Sequence, residues 1–289
     1  MRKLTHDFVH LISPPVESAV EIEALYRDLE ERFPRCVLPD GLVYPVCEKK
    51  KIGDRLTYLE KCLRNGNGAS IGNDPSIGNA SLDVYFGFKN VEYPLGKTEI
   101  RYCKLMLGIK RSTVSLTEHD WLELVASMCA RFNAYWGLFS PGDDYHYRIS
   151  PLLERWLFFK DGYRERNKET VKEIRRLLDE YGELERLPRL DLAGYYSTTT
   201  RFGVHDVRIV PEIGWINYWC KSIAEYNEAE AVLPRLAQCG CDGSFEKTES
   251  GAYIWSLTSE PLCIDNAAHR NCLIGAYEVF PNAGLRSEQ

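Results

Sequence analysis

The sequence predicts an α+β fold, in which an antiparallel or mixed sheet, or two such sheets, is packed against helices. Stretches with apolar residues three and four apart predict helices, and stretches with alternating apolar residues predict strands. Short links between strands favour antiparallel pairs over regular βαβ units. The chain can form a single α+β domain, 1–289, or two lobes, 1–160 and 161–289.

The first elements are a helix, a loop and two strands. Residues 16–33 have an apolar stripe opposite an acidic face, which predicts a helix that Pro34 closes. Residues 65–81 hold four glycines, four asparagines and one proline, which predict an irregular loop. Alternation predicts a strand at 82–89, and an apolar run predicts a second at 98–110. The short link between them favours an antiparallel pair.

Two helices follow in the middle of the chain. Thr117 is the predicted N-cap of a helix that runs to Phe139, with Trp121 and Trp136 on its apolar face. Residues 164–181 predict a surface helix. Its predicted apolar stripe is Val171, Ile174, Leu177, Leu178 and Tyr181, and its predicted outward ion pairs are Arg175–Asp179 and Arg176–Glu180.

The last third is predicted to hold strands at 194–202 and 204–210 and a helix at 211–226. A short helical or polar link follows, then a hairpin that turns at Ser250–Gly251, and a helix at 266–280 closes the chain. Aromatic residues are dense in this part, and we interpret them as core. This predicted structural motif comprises Gly214, Trp215, Tyr218, Trp219, Trp255 and Phe280.

Composition and charge exclude some partners. The formal net charge is −6 and the sequence pI is about 5.7, so no nucleic-acid partner is expected, because phosphate binding needs a basic surface. No run of about 18 apolar residues occurs, so no membrane partner is expected. A secretory signal needs a long apolar core after its basic residues, and Thr5, His6 and Asp7 interrupt that core here. This predicts a cytoplasmic location.

Ten cysteines without an export signal predict free thiols in a reducing cytosol. Structural zinc sites usually pair their ligands as C-x₂₋₄-C, twice. Here Cys239 and Cys241 are closer together than that, and Cys263 and Cys272 lie far downstream. We therefore expect no metal and no cofactor, although zinc at these four cysteines stays open.

No residue is assigned a catalytic role from the sequence. H-E-x-x-H does not occur in the sequence. G-x-S-x-G occurs at 68–72 and S-x-x-K at 244–247, and neither short pattern by itself assigns a nucleophile. His205 and Asp206 could belong to a triad, and a Cys–His pair formed in space stays open. The sparse chemistry favours a binding protein over an enzyme.

Acidic and tyrosine residues in loops are the predicted partner-binding positions. Tyrosine offers a large contact area with few rotatable bonds, and carboxylates attract a basic partner. The predicted positions are Asp143, Asp144, Tyr145, Tyr147, Glu183 and Glu185.

The segments GWINYW, SLTSEPL and HRNCLIGAYEVFPNAGLR resemble the C-terminal half of bacterial polymorphic-toxin immunity proteins of the immunity protein 52 family. The residues that carry the resemblance are Gly214, Trp215, Tyr218, Trp219, Leu257, Thr258, Pro261, Leu262, Phe280, Pro281, Gly284 and Arg286. The resemblance implies a protein that is not an enzyme. Such a protein binds a cognate toxin, commonly a nuclease of restriction-endonuclease type delivered by a type VI-like secretion system, and occludes its active site.

Two other functions stay open. One is a cytosolic hydrolase or nuclease, which would need ionisable groups that converge in one cleft. The other is a structural or scaffold subunit, which would form a stable complex with proteins other than toxins.

Overall fold

A computed structural model confirms the predicted α+β fold. The structure describes residues 6–34, 44–45, 54–65, 69–72, 82–91, 100–110, 116–141, 172, 176, 179–186, 210, 213–280 and 283. The chain divides into two compact units. The N-terminal unit comprises Thr5–Asn90 and Arg101–Phe139, and the C-terminal unit comprises Met1–Leu4, Val91–Ile100 and Ser140–Gln289. The predicted lobes, 1–160 and 161–289, stay a prediction.

The N-terminal unit contains six strands and three helices among its described residues. The strands are β1 (His6–Ser13), β2 (Tyr44–Pro45), β3 (Ala69–Gly72), β4 (Leu82–Val91), β5 (Ile100–Lys110) and β6 (Trp136–Ser140), in the sheet order β2-β3-β4-β5-β1-β6. The helices are α1 (Ala19–Arg32), α2 (Arg55–Arg64) and α3 (Glu118–Arg131). The centre of the sheet is the antiparallel pair β1–β5, where Val9 lies opposite Leu107 and both side chains are buried.

Helix α1 matches its prediction. The apolar stripe of Ile22, Leu25, Tyr26 and Leu29 is buried against the unit's core. The helix ends at Arg32, because the next residue, Phe33, leaves helical backbone angles at φ −123 and ψ 60.

The predicted loop at 65–81 contains a strand, which corrects the prediction for those residues. Ala69–Gly72 forms β3 and pairs antiparallel with β4, Ile71 lying opposite Val84. Glycine and asparagine dominate the composition of this stretch, so local preference favours turns. Neighbouring strands on both sides supply the backbone hydrogen bonds that hold these few residues extended.

Helix α3 begins as predicted but ends early. Thr117 and Asp120 form a capping box, in which the Thr117 amide donates to the Asp120 carboxylate at 2.8 Å. The predicted continuation to Phe139 is wrong. Asn133 takes a positive φ of 48, which asparagine tolerates better than most residues, and Trp136–Ser140 then forms β6. Every residue of β6 is buried, so the sequence shows no alternation that would identify a strand.

A charged network joins α1 to α2. Arg55 donates to Glu30 at 2.9 Å and to Glu23 at 2.8 Å, and its guanidinium carbon lies 4.1 Å from the centre of the Tyr26 ring. Arg27 adds a bond to Glu23 at 3.0 Å. Burial opposes ionisation of Glu23, but the hydrogen bonds from Arg55 and Arg27 outweigh it and lower the pKa of this carboxyl.

We expect Arg55→Met to destabilise the protein by about 3 kcal/mol at pH 7, because two part-buried carboxylates lose their partner. The Glu23 pKa is lowered in the folded protein, so its contribution is present above the ordinary value of 4.5 and is lost as pH falls through the lowered pKa. The difference between wild type and variant should therefore shrink between pH 6 and pH 3 in urea titrations. Arg64→Met, on the exposed side of the same helix, is the control. An equal difference at both pH values would contradict the prediction.

The C-terminal unit contains three strands, β7 (Ile216–Trp219), β8 (Phe245–Lys247) and β9 (Tyr253–Ser256), among its described residues. They run in the order β7-β9-β8, and both neighbouring pairs are antiparallel. The α-helices whose bounds the structure describes are α4 (Lys221–Tyr226), α5 (Ala229–Val232) and α6 (Ala267–Val279), and Gly182–Arg186 and Leu233–Cys239 are 3-10 helices. The predicted short helical link, hairpin and closing helix are confirmed, with Gly251 at φ 82 in the hairpin turn.

The predicted helix at 211–226 is wrong for the residues that contain both tryptophans. Residues 216–219 form strand β7, and helix α4 begins only at Lys221. All four residues of β7 are buried, including the polar Asn217, so both faces of the strand are covered by protein. A four-residue spacing between tryptophans cannot separate helix from strand when burial does not alternate along the chain.

Several predictions fall partly outside the described residues. In the predicted helix at 164–181, Lys172, Arg176, Asp179 and Glu180 are helical, and Arg176 pairs with Glu180 at 2.7 Å as predicted. Tyr181 is buried, whereas the rest of the stripe and Arg175 lie outside the described residues. So do the predicted strands at 194–202 and 204–210, apart from Val210. Within the described ranges, no helix combines the length and the apolar character needed to cross a bilayer.

The prediction that all cysteines are free thiols is wrong for one pair. Cys241 and Cys272 form a disulfide with Cα atoms 5.1 Å apart, which ties the end of the Leu233–Cys239 segment to α6. The prediction rested on cellular compartment, whereas pairing depends on distance in the fold. The bond also takes two of the four cysteines that were considered for zinc. No group of three or more potential metal ligands occurs among the residues that the structure describes.

We expect reduction of this disulfide to lower the free energy of unfolding by roughly 2–4 kcal/mol, because it closes a loop with a sequence separation of 31 residues. Urea titrations with and without reductant measure the effect. Cys241→Ser should abolish the sensitivity to reductant, and Cys263→Ser, which removes an unpaired thiol, should keep it. A wild type that is equally stable under both conditions would contradict the prediction.

Candidate functional site

The predicted partner-binding residues are only partly described. Asp143, Asp144, Tyr145 and Tyr147 lie outside the described residues, as does the side chain of Glu185. Their role stays a prediction.

Glu183 lies in the 3-10 helix Gly182–Arg186, where its carboxylate accepts a hydrogen bond from Arg270 Nε at 2.5 Å. Its own backbone amide and Arg270 lower the pKa of Glu183. Arg270 also lies 4.5 Å from the Tyr181 ring centre and donates to the Ile264 carbonyl at 2.7 Å. Glu183 therefore holds the 3-10 helix against α6, and its role in binding a partner stays a prediction.

The predicted aromatic motif is core, as expected. Trp219 lies edge-on to Trp255 with ring centres 5.2 Å apart, and Phe280 lies 4.8 Å from Trp219 and 5.5 Å from Trp255. All three side chains are fully buried, as is Trp215 at 1 % exposure, and Tyr218 is 8 % exposed. The aromatic cluster is therefore part of the packing and offers no surface to a partner.

Hydrogen bonds orient the start of this motif. Trp215 Nε1 donates to the Thr258 carbonyl at 2.7 Å, and the Asn217 side chain bonds both the amide and the carbonyl of Gly214. Trp219 and Trp255 contrast with Trp215, because their indole nitrogens have no hydrogen-bond partner among the described residues. Edge-on and tilted ring contacts and burial therefore hold these two rings.

Cys263 and His269 are neighbours in space and are joined through the backbone of Cys263. The backbone amide of Cys263 donates to His269 Nδ1 at 3.0 Å. Burial lowers the pKa of His269, against the carboxylates of Asp242 and Glu260, which raise it. This hydrogen bond orients the His269 ring next to the start of α6.

An exposed cleft lies between α4, α5 and the β8–β9 hairpin of the C-terminal unit, and its volume is about 330 Å³. We call it the acidic cleft, and its lining residues are Lys221, Ala224, Glu225, Glu228, Ala229, Glu230, Ala231, Lys247, Gly251 and Tyr253. Helices α4 and α5 bury Ile223, Ala224, Ala229 and Val232 and turn their glutamates outward.

Two of the glutamates have lysine partners, Glu230 across the cleft and Glu225 on its own helix, α4. Lys247 Nζ lies 2.9 Å from Glu230, and this hydrogen bond lowers the pKa of Glu230. Lys221 lies 3.8 Å from Glu225, a loose and exposed contact. Glu228 has no ion pair within the described part of the chain. The lining is therefore negative on balance, because three carboxylates face two ammonium groups.

Glu228 also has unusual backbone geometry. Its φ of 51 and ψ of 39 are left-handed, a conformation that costs a residue other than glycine about 1 kcal/mol. Its carbonyl accepts from Ala231 and Val232 at 3.0 Å, and its amide donates to Glu225 at 3.1 Å. The tight turn between α4 and α5 thus places the Glu228 carboxylate on the cleft.

Strand β8 lies beside the acidic cleft and ends the described sheet of this unit. Phe245, Glu246 and Lys247 are all exposed, and Phe245, at 50 % exposure, is one of two large apolar side chains that the described residues expose. An exposed edge strand is a template for pairing with another chain.

The sequence alone did not predict the acidic cleft. Its signal is the spacing of three acids: Glu225 lies at the end of the predicted helix 211–226, and Glu228 and Glu230 lie in the stretch that was interpreted as a short helical or polar link. The spacing alone shows a solvated helix face. The hairpin that closes the other side of the cleft comes from a later part of the sequence.

Glu228→Asn should stabilise the protein relative to Glu228→Gln by roughly 0.5–1 kcal/mol, because asparagine tolerates left-handed backbone and glutamine does not. Both variants remove the charge, so urea titrations isolate the backbone effect. The same pair of substitutions at Glu225, a helical residue, should show no gain for asparagine. If Glu228→Asn were no more stable than Glu228→Gln, the turn would not be strained as described.

Comparisons with known proteins match a family model and solved structures. The sequence model of a family described as "Domain of unknown function (DUF5953)" matches residues 199–288. This is the part of the chain that resembled the immunity protein 52 family, and the match corrects that family assignment. No curated protein sequence matches the chain.

Among solved structures, the fold is similar to that of "Pseudomonas aeruginosa T6SS protein PA0821", a type VI secretion system (T6SS) protein. The TM-score is 0.55 and the identity is 7 %, and the match covers 98 % of this chain and 76 % of the other. At 7 % sequence identity, this similarity shows a shared fold alone.

Proposed function

We propose that this chain is a T6SS-associated immunity protein that binds a toxin delivered between bacteria and neutralises it in the cytoplasm. The toxin would be a nuclease, of restriction-endonuclease type, whose active site the chain covers. The observation that carries the proposal is the acidic cleft, an exposed concave surface with a negative lining. The structurally similar protein is a T6SS protein, which supports the proposed setting.

Charge complementarity connects the acidic cleft to a nuclease. A nuclease that binds DNA needs a basic surface at its active site, because DNA phosphates are negatively charged. The formal net charge of this chain is −6, and the acidic cleft concentrates carboxylates beside an apolar edge residue, Phe245. An acidic surface is steered to such a basic site and covers it where phosphate would bind.

The proposal is tested with the toxin domain encoded by the neighbouring gene. Co-expression with this chain should restore growth, and the purified proteins should form a complex whose affinity falls as salt rises. A purified chain that neutralises no such toxin would overturn the proposal. A chain that cleaves nucleic acid or ester substrates would instead favour the alternative, a hydrolase or nuclease.

A charge-reversal triple locates the contact. Glu225→Lys, Glu228→Lys and Glu230→Lys together should weaken toxin binding at least tenfold, about 1.4 kcal/mol or more. The matched control reverses Glu21, Glu31 and Glu60, which are exposed in the N-terminal unit and change the net charge equally. Equal loss in both triples would show a general charge effect and would contradict a role for the acidic cleft.

A further inference from the structure

The hydrogen-bond pattern of the β8–β9 hairpin shows which backbone groups face its open edge. The Thr248 amide donates to the Ala252 carbonyl at 2.8 Å, and the Ser256 amide donates to the Ser244 carbonyl at 2.8 Å. In an antiparallel pair, bonded and non-bonded positions alternate. Glu246 therefore bonds to β9, whereas the amide and carbonyl groups of Phe245 and Lys247 point away from β9.

The side chains of β8 divide in the same way. Alternate residues of a strand share a face, so Phe245 and Lys247 project to one side and Glu246 to the other. Lys247 lines the acidic cleft, and Tyr253, opposite it in the register, does too. Exposed Phe245, the outward backbone groups and the cleft thus form one continuous surface, which we call the β8 edge surface.

The charge beside this edge selects the kind of partner. Lys247 is neutralised by Glu230 at 2.9 Å, and its ammonium group lies 5.4 Å from the Tyr253 ring centre. Glu228, on the cleft, is an exposed carboxylate with no ion pair within the described part of the chain, and so is Glu246 on the other face of β8. The surface therefore offers an apolar contact at Phe245 and negative charge at the cleft.

We propose that an extended, basic segment of the toxin adds to the sheet as a strand along β8. The segment would bond the outward amides and carbonyls of Phe245 and Lys247 and place an apolar side chain over Phe245. A lysine or arginine two residues away would lie on the same face and reach the acidic cleft. This inference rests on the proposed function and specifies how the toxin is held.

Amide hydrogen exchange, followed residue by residue, tests the backbone contact. In the free protein the amides of Phe245 and Lys247 should exchange rapidly, and the Glu246 amide should exchange slowly because it bonds to β9. Adding the toxin domain encoded by the neighbouring gene should slow Phe245 and Lys247 at least tenfold. A tight complex in which both amides exchange at their free rates would overturn strand addition and leave the proposed function intact.

A proline–alanine pair at one position separates backbone from side chain. Lys247→Pro and Lys247→Ala both remove the ammonium group, but only proline removes the outward amide hydrogen and blocks an incoming strand. Proline should weaken toxin binding at least tenfold more than alanine. Circular dichroism and the melting temperature of the free variants control for folding. If the proline variant loses its fold, the exchange experiment on wild type decides alone.

The remaining outcomes are also decisive. Equal binding by the proline and alanine variants, both folded, would overturn strand addition. If the Phe245 and Lys247 amides became protected as the concentration of this chain rose without toxin, the edge would pair with a second copy, and the proposal would be wrong. If the toxin did not bind wild type at all, the proposed function and this inference would both be overturned.

Discussion

The contact among Trp219, Trp255 and Phe280 joins strand β7, strand β9 and the end of α6 inside the C-terminal unit. Each ring is fully buried, so their packing removes a large apolar area from water at one point. Strand β9 is paired on both sides, with β7 and with β8. The position of the hairpin, and so of every surface that the hairpin forms, depends on this aromatic contact.

Charged groups divide into two kinds with different consequences. Arg55 with Glu23, and Arg270 with Glu183, are part-buried pairs, and each arginine makes further bonds to neighbouring groups, so they join helices within each unit. The glutamates of the acidic cleft are exposed, and their lysine contacts are single and solvated. Exposed charges of this kind contribute little to stability, and they are free to act on an approaching partner.

Fold similarity and function rest on different evidence here. A fold shared at 7 % identity with a T6SS protein shows a common architecture, and one architecture can host many functions. The proposed function therefore rests on the acidic cleft, and the proposed binding mode rests on the outward backbone groups of β8. Both lie on the hairpin side of the C-terminal unit, within the stretch that matches the DUF5953 family model.

The sequence by itself determined the elements whose signals are local. Helix α1 has one apolar and one polar face, Thr117 and Asp120 form a cap from adjacent residues, and Gly251 permits the hairpin turn. Only the tertiary structure decided β6 and β7, because strands buried on both faces show no alternation. The Cys241–Cys272 bond and the acidic cleft were also decided by the tertiary structure. Each brings together residues that are far apart in the chain, and the distance between such residues in space cannot be inferred from their spacing in the sequence.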